Sequence, residues 1–221
     1  MKVLIIYSGG LDSSVLLSTF LEDNDVFAVH FNYGQKHYER EYEAARKVFE
    51  AFDLKQGNLI PIKLDLNDMG FKSALLKSGE NVPDGSYNEE NMKKTIVLFR
   101  NGIMISIAVG IAWSINCHLI SLANHAGDHL IYPDCRPAFI KAMQHAVYYG
   151  TNNNIFLMSP FVTKTKAEIV KIGWVNRVPF HLTYSCYKGG ALHCGVCSTC
   201  IERKEAFIEA EISDPTMYEV Y

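Results

Sequence analysis

An apolar run, Lys2-Val-Leu-Ile-Ile-Tyr7, breaks at two glycines into Ser8-Gly-Gly-Leu-Asp-Ser13 and then a helical stretch from Ser14 to about Glu22. That order reads as a buried strand, a tight turn and a helix N-terminus. Gly9 and Gly10 let the backbone approach an oxyanion with no Cβ in the way, and the first-turn N–H groups of a helix have no intrahelical partner. With the positive end of the helix dipole, they favour a phosphate or pyrophosphate. Ser8 and Ser13 add hydroxyl donors, while Asp12 fits either a bridging Mg²⁺ or an N-cap. Six consecutive positions agree with this reading, against a strand–turn–helix whose small residues only pack. No Gly-Lys-[Ser/Thr] follows, so the loop is not a Walker A motif.

Further strands and helices alternate along the chain. Val26–Asn32 reads as a strand, Glu39–Phe52 as a helix, and Asn58–Leu64 as a strand that Pro61 places at a sheet edge. From Asp65 to Lys94 the pattern loosens. A short helix over Met69–Lys77 is expected, followed by turn chemistry from Gly79 to Ser86, and a loop this long suits an active-site lid. Gly102–Asn116, apolar nearly all round, reads as a buried helix; Cys117–Ala123 and Ile155–Met158 read as strands. Pro137 opens a helix to about Tyr149, and Thr165-Lys-Ala-Glu168 is a capping box. The fold class is therefore α/β, a parallel sheet of about five strands flanked by helices. In such sheets ligands bind beyond the carboxyl ends of the strands, where the Ser8 loop and the Asn124–Pro137 segment both fall.

The 221 residues are enough for one well-cored domain, 1–180, with a smaller segment, 181–221, packed on it. A net charge of −3 with scattered Lys and Arg gives no footprint for direct nucleic-acid binding. Met1 leads straight into a strand, and the most apolar run, Ile103–Ile115, is too short to span a bilayer. The expectation is a soluble cytoplasmic chain without a membrane partner. In that compartment the cluster Cys186, Cys194, Cys197 and Cys200 indicates a metal before a disulfide. Four thiolates close a tetrahedral Zn²⁺ site with no open position, so the role is structural; an iron–sulfur cluster, or His193 replacing one cysteine, are the alternatives.

The Ser8 loop resembles the pyrophosphate loop of the N-type ATP pyrophosphatases, which cleave ATP to AMP and pyrophosphate. Tyr33-Gly-Gln-Lys-His37, Tyr132-Pro-Asp-Cys-Arg136, Lys166-Ala-Glu168 and Ser185-Cys-Tyr-Lys-Gly-Gly190 follow in order. Together they resemble the 7-cyano-7-deazaguanine synthases, nitrile-forming enzymes of the queuosine pathway, over residues 1 to about 208. The resemblance implies an adenine-nucleotide-hydrolase-like fold, a C-terminal zinc site and homodimers. It further implies conversion of 7-carboxy-7-deazaguanine, ammonia and ATP to 7-cyano-7-deazaguanine, with Mg²⁺.

On that resemblance the nucleotide is expected on Tyr7, Ser8, Gly9, Gly10, Leu11, Asp12, Ser13, Ser14, Val15, Leu16 and Leu17, and on Gly34, Gln35 and His37. Ser8, Asp12, Ser13, Lys166 and Arg100 are assigned to catalysis. Lys166 serves as the cation for the departing pyrophosphate. Asn101, Asp128, Tyr132, Asp134 and Arg136 are assigned to the deazaguanine acid, while Cys135 reads as a packed small residue and His125 and His129 as bystanders. Two departures fall in the substrate region: Val97-Leu-Phe-Arg-Asn101 where the family has Val-Pro-Gly-Arg-Asn, and Ala123-Asn-His-Ala-Gly-Asp128 where it has a Gly-Val-led loop. Enzymes that stop at the amide, or join the deazaguanine to a protein amine, are thus the first alternative. tRNA sulfur transfer is the second, and a non-catalytic nucleotide-binding regulator the third.

Overall fold

The computed structural model describes residues 1–86, 93–130 and 132–219. Strands β1 (Lys2–Ile6), β2 (Asp25–Asn32), β3 (Leu59–Lys63), β4 (Leu119–Ser121) and β5 (Phe156–Met158) form one all-parallel sheet in the order β3-β2-β1-β4-β5. Pro61 lies on the β3 edge, where its missing N–H costs no ladder bond. After β1 the chain builds outward through β2 and β3, then crosses to the other side for β4. The carboxyl ends of β1 and β4 therefore border a crevice at the point where the winding reverses.

Helices cover both faces, which is why β1 is apolar without alternation. Val3, Leu4 and Ile5 are all fully buried. Leu4 joins one layer with α3 (Arg100–Ser114) and α4 (Pro137–Gly150), through Met104, Ile105, Ile140 and Val147. Val3 and Ile5 join the other, with α1 (Leu11–Ser18), α2 (Tyr38–Ala51), α5 (Lys166–Val175) and α6 (Ser198–Ala210). The capping box at Thr165 and Glu168 forms as the sequence implies: Thr165 Oγ1 accepts the Glu168 N–H at 3.2 Å and Glu168 returns a bond to the Thr165 N–H at 2.7 Å.

Three expectations are corrected. Helix α1 starts at Leu11 rather than Ser14 and ends at Ser18, because extended Gly10 is its N-cap, so Asp12 and Ser13 lie in its first turn. No helix forms over 69–77. Gly70 is left-handed at φ +82°, and the Asn67 side chain takes the Ser78 N–H and donates to the Gly34 carbonyl, folding the stretch as turns. Residues 87–92 of the expected lid lie outside the described residues. Helix α3 is not buried all round. Met104, Ile105, Ala108 and Ala112 face the core, while Trp113 is 61% exposed. Lys93–Ser114 spans 22 residues and contains an 18-residue window of mean hydropathy 1.8, long and apolar enough by composition to cross a membrane, yet its inner face is packed on the sheet.

Gly9 is where the loop meets α2. It is left-handed at φ +79°, and a Cβ would lie 2.5 Å from the Glu41 carbonyl and 2.7 Å from the Ala45 nitrogen, both backbone. Gly9→Ala should therefore destabilise the chain by about 2–4 kcal/mol in urea titration. Gly57→Ala, whose Cβ meets nothing within 4 Å, should stay within about 0.5 kcal/mol. Equal effects at the two sites would contradict the assigned tightness of the Gly9 turn.

Candidate nucleotide site and cysteine centre

A cleft of about 230 Å³ opens at the carboxyl ends of β1, β2 and β4. Its floor is the Ser8 loop. Ser8 is exposed and its Oγ lies 3.1 Å from Ser13 Oγ, while Ser13 Oγ also donates to the Gly10 carbonyl at 3.3 Å. The amino end of α1 borders the cleft and has no side-chain cap among the described residues, so its first-turn N–H groups are the donors an anion there would meet. Tyr7, Leu11 and Asp12 also line the cleft. Gly9 holds the turn instead: its carbonyl accepts the Tyr184 N–H at 3.0 Å, docking the C-terminal segment onto the loop.

Ser14, Val15, Leu16 and Leu17 do not line it. Ser14 Oγ pairs with the Tyr7 hydroxyl at 3.1 Å, and the other three are core residues with no exposure. Gly34, left-handed at φ +86°, packs on Asn67 and is a turn glycine away from the cleft. Gln35 and His37 do line it, but the Gln35 amide is committed to backbone and to Glu41, its Oε1 accepting the Tyr33 N–H at 2.8 Å. The His37 ring packs on Tyr187 and leaves Nδ1 buried without a partner among the described residues.

Lys166 projects from the first turn of α5 between two carboxylates. Its Nζ is 2.7 Å from Glu202 Oε2 and 3.3 Å from Asp12 Oδ2. Burial opposes its charge, but Asp12 and Glu202 outweigh that and hold the ammonium above its ordinary value. Burial likewise pushes the Asp12 carboxyl up, and Lys166 with His125 reverses the direction, so Asp12 stays ionised. Its Oδ1 is buried and unpartnered among the described residues, and a carboxylate oxygen of that kind suits a divalent cation. Asp128 Oδ2 accepts the His125 N–H at 3.2 Å, and burial pushes this carboxyl up. Across the cleft, Arg100 donates to the Tyr33 hydroxyl at 3.2 Å, and Tyr132 meets Thr95 at 3.3 Å; burial pushes Tyr33 up to about 12.

Two of the residues expected to meet the substrate, Asp134 and Arg136, do not line the cleft. Phe99, the N-cap of α3, cannot cap with its side chain, and Asp134 Oδ2 takes that place by accepting the Asn101 N–H at 2.8 Å. Asp134 is thus spent on holding the helix, and only Asn101 reaches the cleft. Arg136 is exposed and donates from Nε to the His129 carbonyl at 2.9 Å, outside the cleft. Residues the sequence reading did not assign also line it: His30, Glu41, Asn124, Tyr184, Ser185, Tyr187 and Glu202. Only Tyr184, Ser185 and Tyr187 carried a local signal, as neighbours of Cys186.

In the C-terminal segment the Sγ atoms of Cys186, Cys194, Cys197 and Cys200 all lie within 4.8 Å of one another and are buried, a set that could hold a metal ion. His193 is not part of it: its Nε2 accepts the Ser185 N–H at 3.0 Å.

A glycine-turn loop at the amino end of α1, beneath a crevice where the strand order reverses, places this chain among the parallel α/β proteins. The family model for queuosine biosynthesis protein QueC matches residues 2–211. A 7-cyano-7-deazaguanine synthase of Porphyromonas gingivalis is 47% identical over 98% of this chain and 96% of its own, and one of Desulfotalea psychrophila 46% identical over 97% of each. Among solved structures, the U34-tRNA thiolase NcsA from Methanococcus maripaludis, with its [4Fe-4S] cluster, is 15% identical at a TM-score of 0.48, over 85% of this chain and 62% of that one. The chain belongs to the QueC family.

Burial holds His30 and His37 below the ordinary imidazole value of 6.5, with Glu41 opposing in each case. Both histidines take up protons near pH 6.5 when unfolded and only at lower pH when folded. Their contribution is therefore whole above pH 6.5 and is lost as pH falls towards the folded values. The melting temperature should drop between pH 7 and pH 5, and His37→Asn should flatten part of that slope. A profile that rises in this window would contradict the assignment.

Proposed function

We propose that this chain makes 7-cyano-7-deazaguanine from 7-carboxy-7-deazaguanine, ammonia and ATP. Relatives of that name over nearly the full length support the reading. The geometric observation that carries it is Lys166, buried beside Asp12 at the amino end of α1, where a departing pyrophosphate needs a cation. An acid oxygen attacks the α-phosphorus of ATP and pyrophosphate leaves. Ammonia then adds to the acyl carbon, loses a proton and expels AMP, giving the amide. The amide oxygen attacks the α-phosphorus of a second ATP, again expelling pyrophosphate, and loss of the resulting AMP with both N–H protons forms the nitrile.

Mg²⁺, when bound, would screen the phosphate charge. Asp12 is the residue placed to hold it, through the free Oδ1. Ser8, Ser13 and the α1 N–H groups would donate to the β- and γ-phosphates, and Lys166 would take up the charge that grows as the bond breaks. Tyr7, Gln35 and His37 border the space beside β2 for the adenosine. Arg100, Asn101, Asp128 and Tyr132 surround the remaining volume, which suits a flat purine-like acid. Lys166→Gln should lower kcat about 100-fold or more, with the fold retained by circular dichroism. Mass spectrometry of the products from enzyme, ATP, Mg²⁺, ammonium and the acid should give the nitrile and AMP; an amide or a protein adduct as final product would overturn the reading.

For the cysteines we propose Zn²⁺ in a structural role. Four sulfurs bonded to one tetrahedral zinc at about 2.3 Å stand about 3.8 Å apart, and the Sγ separations here include 3.4, 3.9 and 4.0 Å. Elemental analysis should return one zinc per chain, and Cys197→Ser should lose the metal and lower the melting temperature; iron in place of zinc would favour a cluster. The same reading carries a homodimer. Trp113, Tyr149 and Phe156 are 61%, 75% and 52% exposed, apolar surface that a second copy would cover. Sedimentation should give twice the chain mass of 24.9 kDa.

A further inference from the structure

Glu202 lies on α6, two residues beyond Cys200, and reaches back across the molecule to the Ser8 loop. Its contact with Lys166 is the shorter of the two that lysine makes, 2.7 Å against 3.3 Å to Asp12. Its other oxygen lies 4.0 Å from His125 Nε2. The Nδ1 of that ring accepts the Gly127 N–H at 3.1 Å, so the proton of the neutral ring is on Nε2, turned towards Glu202 and Asp128. The next residue, Arg203, is fully buried. It donates to Thr183 Oγ1 at 2.9 Å, Ser185 Oγ at 3.1 Å and Thr216 Oγ1 at 2.8 Å, which fixes the rotation of α6 and hence the direction of Glu202.

We propose that Glu202 is a positioning residue for the reaction: it takes the shorter contact with the Lys166 ammonium, so that Asp12 meets the lysine through Oδ2 alone and keeps Oδ1 for a divalent cation. This rests on the ATP-dependent reading of the cleft. One lysine and one aspartate alone would close into a neutral pair, withdrawing the cation from the pyrophosphate and the carboxylate from the metal. A second carboxylate, 2.7 Å from Nζ, competes for the ammonium and opposes that collapse, and it leaves the cluster with the excess negative charge that a divalent cation neutralises.

The test is Mg²⁺-dependent ATP binding by calorimetry on the full chain, alongside turnover. In Glu202→Gln, Lys166 settles on Asp12. The Mg²⁺ concentration for half-maximal ATP binding should rise about tenfold and kcat should fall about 100-fold. KM for the deazaguanine acid should stay within about twofold and the melting temperature within about 2 °C, with bound cysteine metal unchanged. Glu202→Asp, which keeps the charge, should recover part of the Mg²⁺ dependence, and it carries the comparison if the glutamine variant does not fold. Wild-type Mg²⁺ dependence in Glu202→Gln, or loss of activity that tracks loss of the cysteine-bound metal in both variants, would overturn the proposal. A wild-type chain that binds no ATP overturns the nucleotide reading itself, and this inference with it.

Discussion

A buried ammonium is tolerated only where counter-charge and hydrogen bonds replace its water. Lys166, with 12% of its side chain exposed, meets that requirement with carboxylates from opposite ends of the chain, Asp12 in the first helix and Glu202 in the last. Much of the surrounding architecture can be understood as what is needed to keep those three groups together. The capping box sets where α5 begins and so where Lys166 projects. The left-handed Gly9 turn lays the loop against α2 and sets Asp12. Buried Arg203, salt-bridged to Asp214 at 3.7 Å, seats the last helix.

The sheet supplies the frame for this. Its strand order reverses between β1 and β4, so the loops that follow those strands diverge and leave space between them. Aromatic side chains line the opposite wall. The Arg100 guanidinium lies over Tyr33, 5.3 Å from its ring centre, which places a planar cation beside a planar ring. The cleft thus has a polar, charge-dense end and a flatter, aromatic end.

What the sequence disclosed was mostly local. The five strands, the edge position of Pro61, the capping box and the four cysteines each follow from neighbouring residues and were legible in advance. The start of α1 was displaced by three residues because glycine caps through backbone geometry and leaves no side-chain signal. The absent helix at 69–77 turned on Asn67 bonds to residues far along the chain. Asp134 was read as a ligand because Phe99 gives no hint that it needs another residue to cap its helix. Glu202 was invisible for the same reason: on an exposed-looking helical stretch, Ile201-Glu-Arg-Lys204, nothing separates an inward glutamate from a solvated one until α6 is docked on α5. Apart from the glycine cap, long-range pairing rather than propensity decided these.

The docking of α6 also bears on the order of events during synthesis. Asp12 leaves the ribosome early, with the strand and turn that hold it, whereas Glu202 and the cysteines beside it emerge long afterwards. A growing chain can therefore lay down its sheet while the lysine still lacks one of its two counter-charges. The seat of Lys166 between Asp12 and Glu202 is completed only once α6 is released and docked, so a chain that stops short of α6 leaves the lysine with a single counter-charge.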